Sequence, residues 1–185
     1  MAHWINTPGH GWLVLSAEEN ARVPAEFRMS DYEEDCAWSI AVLAVPALLE
    51  GSAFKHLDTP AKRAATLERA RETCRNYYPD AFAAITGEQP TCENSVLLAE
   101  LKFHADNAND WVVISAVGDI CTCGNRRCRC WHDGVPKGFV LGTATQGGQR
   151  GRGVAERDYL ILQSRYVARD RCGYVIRPDD KPCAE

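Results

Sequence analysis

The sequence has no stretch able to cross a bilayer. A membrane-spanning helix needs roughly 20 consecutive apolar residues. The longest apolar stretch, Ala37 to Leu49, is shorter and contains Ser39 and Pro46. The N-terminal residues MAHWINTPGHGW lack a basic region followed by an apolar one, so no secretory signal is read there. A cytoplasmic location and no membrane partner are therefore expected. There is no internal repeat and no low-complexity tract. There is also no complete catalytic motif. The glycine-rich run GTATQGGQRGRGV (142–154) lacks the GxxxxGK[ST] pattern of a phosphate-binding loop, so it names no nucleotide, and no organic cofactor is expected.

What is present is ordinary globular composition, with 45% hydrophobic and 25% charged residues in 185. That length suits a single domain, 1–185, able to bury its own core. Charge is unevenly spread. Residues 1–110 hold 9 Lys and Arg against 17 Asp and Glu, whereas residues 111–185 hold 12 against 8. Such halves either complement each other or form two binding faces.

The first half reads as helical. GWLVLSA (11–17) follows turn-forming residues and is expected to be a short strand. SDYE (30–33) has the pattern of a capping box, Ser30 to Glu33, and opens a helix with a core-facing stripe from Cys36 to Ala44, ended by Pro46. Thr59-Pro60 opens a second helix that runs to just before Pro79. Residues 79–85 form a short helix closed by Gly87, and 94–104 another amphipathic one. From Trp111 the period changes. WVVISAV (111–117), GFVLGTA (138–144), YLILQSRYV (159–167) and GYVIR (173–177) read as strands rich in β-branched and aromatic residues. The expected fold is α+β: a helical N-terminal half packed on a mostly antiparallel sheet, made by the C-terminal half plus the N-terminal strand.

Nine cysteines is a high and odd count. Four of them, Cys121, Cys123, Cys128 and Cys130, are spaced C-x-C-x4-C-x-C within a cysteine-rich loop, 120–134. Residues i and i+2 of a strand face the same side, so a small hairpin could present four sulfurs together. Four thiolates suit tetrahedral zinc, with His132 as an alternative ligand, and four protein ligands leave no open position for catalysis. Zinc is therefore expected in a structural role, stiffening a tip that displays Arg126, Arg127, Arg129 and Trp131. An iron–sulfur cluster, free thiols and oxidised disulfides are the other readings. The remaining cysteines read mostly as small buried hydrophobes. Arg150 and Arg152 add a second basic loop. Together these side chains are the candidate partner-binding surface.

A further polar candidate is His10 with Asp31, Glu34 and Asp35. Glu33, Glu34 and Asp35 on a helix would diverge by about 100° per residue, which argues against three neighbours meeting at one ion. First-turn acids of a capped helix are the simpler reading. Cys36 lies on the apolar face and reads as a structural thiol rather than a nucleophile. Trp4, Trp12 and Trp38 read as core aromatics.

GHGWLVL (9–15), YEEDCAW (32–38) leading into LAVP (43–46), WVVISAVGD (111–119), VPKGFVLGTATQGG (135–148) and ERDYLILQSRYVARDRCGYVI (156–176) together cover most of the chain. This pattern resembles a family of small proteins of unknown function encoded by bacterial phages and plasmids. The resemblance implies a mobile-element accessory protein in a bacterial cytoplasm. Such a protein would bind a host protein or ribonucleoprotein complex stoichiometrically, for example as an inhibitor of a defence system such as an anti-CRISPR. Between VGD and VPKGFV the pattern has a short loop, so the cysteine cluster is a local elaboration of this chain. Two other readings stand beside it: a zinc-stapled nucleic-acid-binding protein, and a small enzyme using His10 and the Asp31–Cys36 segment.

Overall fold

Ser16, not Ser30, carries the first helix cap. The computed structural model describes residues 1–118, 135 and 138–183, in an α+β fold of two compact units, Met1–Ala99 and Glu100–Glu185.

In the first unit, β1 (His3–Asn6), β2 (Gly11–Val14) and β3 (Tyr32–Glu33) form an antiparallel sheet in that order. The turn between β1 and β2 is stapled by Thr7. Its N–H donates to the His10 carbonyl at 2.8 Å, and its hydroxyl accepts the His10 N–H at 3.2 Å. The N-terminal strand therefore pairs within a sheet of its own and does not join the C-terminal sheet, contrary to the expectation from sequence. The helix α1 (Ala17–Asn20) begins with a reciprocal cap. Ser16 Oγ accepts the Glu19 N–H, and the Glu19 carboxylate accepts the Ser16 N–H at 2.8 Å.

The expected capping box at Ser30–Glu33 does not form. Tyr32 is fully buried and its hydroxyl donates to Asn20 Oδ1 at 2.7 Å. That anchoring holds the segment extended, so Leu13 pairs with Tyr32 and Trp12 with Glu33. The helix starts later, as α2 (Trp38–Ala44), without a side-chain cap. Trp38 through Val42 are all buried, the pattern of a helix surrounded by other elements. It ends one residue before Val45-Pro46, as expected.

α3 (Pro60–Tyr77) is capped by Thr59, whose side chain accepts the Lys62 N–H at 3.3 Å. It buries Thr66, Ala70 and Cys74, one stripe at spacing four. α4 (Pro79–Thr86) closes at Gly87, whose φ of 75° is the left-handed conformation that favours glycine. These helices and β2 enclose the core around Leu13, Tyr32, Ile40, Val42 and Phe82. α5 (Val96–Asp106) spans the boundary of the two units.

In the second unit, β4 (Trp111–Gly118), β5 (Phe139–Gln146), β6 (Glu156–Leu162) and β7 (Lys181–Pro182) form an antiparallel sheet in chain order. The third expected strand is shorter than read: it stops at Leu162 and continues as α6 (Gln163–Val167). Residues 173–176 run along the free edge of β4, through Val113 N–H to Tyr174 O at 2.9 Å and Ile176 N–H to Trp111 O at 2.8 Å. A tight turn, Asp180 N–H to Arg177 O at 3.0 Å, then leads to β7 on the opposite edge. The segment 173–182 thus contacts both edges of the sheet. Tyr159, Ile161, Tyr174 and Ala144 form the unit's core.

Candidate functional site

The extended geometry of β3 changes what its acids can do. Glu34 follows β3, and its N–H donates to the Gly11 carbonyl at 2.9 Å, which prolongs the pairing with β2. Its carboxylate folds over Gly11. A Cβ at residue 11 would stand 2.4 Å from Glu34 Oε2 and 3.0 Å from Asn6 Oδ1, so the absent side chain makes room for both oxygens. His10 precedes Gly11, and its ring lies 5.9 Å from that of Trp12. As a result His10, Glu33 and Glu34 each bring a ligating atom to within 4.8 Å of the others. The divergence argued from a helix does not apply, because these residues are not helical.

Of the four polar residues singled out from sequence, the structure brings His10 and Glu34 together and adds Glu33. Asp31 is exposed and accepts the Ser30 hydroxyl at 2.7 Å instead. Asp35 lines a cleft with Trp38 and Arg69. Glu33 is held by the Cys36 N–H, which donates to Glu33 Oε2 at 3.3 Å. Burial, and after it the Glu33 and Asp35 carboxylates, push the Cys36 thiol above its ordinary range. The thiol form is thereby favoured, the reverse of what a cysteine nucleophile needs.

Two clefts adjoin Glu34, of about 520 and about 370 Å³, and both are lined by Trp4, Glu34 and His56. His3, Asn6 and Lys55 complete the larger one; Asp35, Trp38, Phe54 and Arg69 line the smaller. Trp4 meets Phe54 edge-on at 5.9 Å, and the Arg69 guanidinium sits 5.3 Å over the Trp38 ring. The walls thus offer aromatic faces, imidazoles and both signs of charge. Trp4 and Trp38 do pack on the core, as read from sequence, yet each also faces a cleft. His56 and Arg69 were not legible. His56 lies in an unpatterned segment, and Arg69 belongs to the charged side of α3, which resembles any solvated helix face.

Cys121, Cys123, Cys128, Cys130, His132, Arg126, Arg127, Arg129 and Trp131 lie outside the described residues. In the second unit Arg150 donates to the Ile114 carbonyl, so its guanidinium is tied to β4, while Arg152 is exposed. Three further arginines stack on rings: Arg157 over Trp111 at 4.5 Å, Arg169 over Tyr166 at 4.4 Å and Arg177 over Tyr174 at 5.8 Å. Among the scattered cysteines Cys74 is buried, whereas Cys36, Cys92, Cys172 and Cys183 are half-buried. No helix among the described residues is long and apolar enough to cross a membrane.

No curated protein and no solved structure matches the chain. A family model described as a domain of unknown function, DUF7007, matches residues 2–108. That span contains GHGWLVL, YEEDCAW, the His10–Glu33–Glu34 cluster and both clefts, and excludes the cysteine cluster. The match covers more than half of the sequence, and the chain belongs to the DUF7007 family.

Proposed function

We propose that this chain works by binding. It is an accessory protein of a bacterial phage or plasmid, acting in the cytoplasm on a host protein or ribonucleoprotein complex in stoichiometric amount. Its specific form is an inhibitor of a defence system, such as an anti-CRISPR. The observation that carries this reading is the pair of clefts sharing Trp4, Glu34 and His56, with Trp38 and Arg69 in the wall of one. Tryptophan and arginine in partly desolvated pockets dominate binding energetics. The clefts fall within the matched residues 2–108, which supports placing a family-wide contact there. Arg126, Arg127, Arg129, Trp131, Arg150 and Arg152 extend the contact surface. Cys121, Cys123, Cys128 and Cys130 hold a structural zinc that stiffens the loop particular to this chain.

The test is an affinity pull-down from a bacterial host lysate, with and without nuclease, followed by titration of the purified target. The expected result is one complex that survives nuclease and is inhibited at a one-to-one ratio. Arg69→Glu, and Arg126→Glu with Arg129→Glu, should each abolish binding while thermal unfolding stays unchanged. Full binding by both variants, or action at far below stoichiometric amounts, overturns the reading.

A second reading, nucleic-acid binding by the basic half, is favoured by the three arginine–aromatic stacks of the second unit. It predicts recovery that is lost on nuclease treatment and affinity that falls steeply with salt.

A further inference from the structure

We propose that His10, Glu33 and Glu34 form a binding site for one divalent transition-metal ion. One imidazole nitrogen and two carboxylate oxygens are a donor set suited to Mn²⁺, Fe²⁺ or Zn²⁺. Ligand atoms around such an ion stand about 3 to 4.4 Å apart, given bonds of about 2.0 to 2.2 Å. The three donors already lie within 4.8 Å of one another, so small side-chain rotations complete the set.

The surroundings hold these donors in place. His10 closes the hairpin turn through both its N–H and its carbonyl, which bond to Thr7. Its ring packs near Trp12. Glu33 accepts the Cys36 N–H on Oε2, which steadies its carboxylate. Glu34 is fixed by its backbone bond to Gly11, and its carboxylate occupies the space that a side chain at residue 11 would fill. Asn6 Oδ1 borders the same space and offers a fourth, neutral oxygen. Without an ion, two adjacent carboxylates repel each other at short range. A divalent cation removes that repulsion.

Three protein ligands leave coordination positions open, unlike the closed site expected of four thiolates. Glu34 also lines both clefts, so an ion held through it sits at their rim, where a ligand with an oxygen donor could complete its shell. The site is independent of the cysteine cluster, and it shares Glu34 with the clefts proposed to meet the host partner.

Mn²⁺ is the probe of choice, because thiolates prefer softer ions. Electron paramagnetic resonance of the full chain, titrated with Mn²⁺, reads loss of the free-ion signal on binding. The expected result is one Mn²⁺ per chain. The same result is expected in a variant with Cys121, Cys123, Cys128 and Cys130 all changed to Ser. His10→Ala and Glu34→Gln should each weaken binding about tenfold or more. Both residues are exposed, so the fold survives these changes. Absence of bound Mn²⁺ in the wild-type chain at millimolar concentration overturns the proposal. So does equal affinity in wild type, His10→Ala, Glu33→Gln and Glu34→Gln.

Discussion

Glu34 Oε2 lies 2.4 Å from the point where a Cβ on Gly11 would stand. The atom met is the far end of a flexible side chain, so Gly11→Ala should move the Glu34 carboxylate rather than the backbone. Gly11 is also outside the left-handed region, so alanine can adopt its backbone conformation. The expected outcome is a stability change within about 1 kcal/mol, measured by urea unfolding, with Mn²⁺ affinity reduced. This variant separates the geometry of the cluster from its charge, which is unaltered.

Ser16, not Ser30, carries the reciprocal cap with a glutamate three residues on. Ser16→Ala removes the cap on α1 and one half of a reciprocal pair with Glu19, and should cost about 1 kcal/mol. Ser30→Ala removes only an exposed bond to Asp31 and should change stability by less than about 0.5 kcal/mol. Denaturant midpoints of the two variants measure the difference directly. A larger loss at Ser30 would contradict the strand assigned to Tyr32–Glu33.

Asp180 is the buried anchor of the second unit, at 5% exposure. Its carboxylate accepts the Tyr174 hydroxyl at 2.9 Å and the Arg177 N–H at 2.9 Å, and pairs with Arg165 at 3.2 Å. Asp180→Ala leaves the Tyr174 hydroxyl and the Arg177 N–H without their acceptor, while Arg165 keeps its pair with Asp179, and should destabilise this unit by about 2 kcal/mol. Tyr174→Phe, which removes one bond only, should cost about 1 kcal/mol. Thermal unfolding followed by tyrosine and tryptophan signals reads both.

Alkaline pH should loosen both units. Burial pushes the Cys74 thiol up to about 12 from 9.0, and burial together with Asp180 pushes the Tyr174 hydroxyl up to about 12 from 10.0. In each case the folded state favours the protonated form. The stability this represents is fully present below pH 9 for Cys74 and pH 10 for Tyr174, and is lost as pH rises to about 12. Circular dichroism melts across this window should show a falling midpoint. Cys74→Ala and Tyr174→Phe should each flatten the fall. An unchanged pH profile in both variants would refute the assignment.

The long elements were legible from local pattern alone. Thr59-Pro60 and Pro79 bracket α3, Gly87 ends α4, and the β-branched runs at 111–117 and 138–144 are strands. In each, the signal is carried by backbone constraints of proline and glycine or by side-chain branching, which act within a few residues. Where the expectation failed, a distant contact outweighed the local one. SDYE has a capping pattern, yet burial of Tyr32 and its bond to Asn20 hold that segment as a strand. Gln163–Val167 has strand-like residues but turns into a helix once Tyr166 packs near Tyr174.

The sequence by itself therefore determined the α+β class, the bounds of α3 and α4 and the presence of His10 and Glu34 as polar candidates. Composition and proline, glycine and β-branched spacing act locally, so they need no knowledge of what lies across the fold. Only the tertiary structure decided that β2 pairs with β1 and β3, that Glu33 joins His10 and Glu34, and that Trp4, His56 and Arg69 wall shared clefts. Apart from the local β1–β2 hairpin, those relationships join residues far apart in the chain, and they follow from which apolar surfaces the core buries. No local pattern encodes that choice.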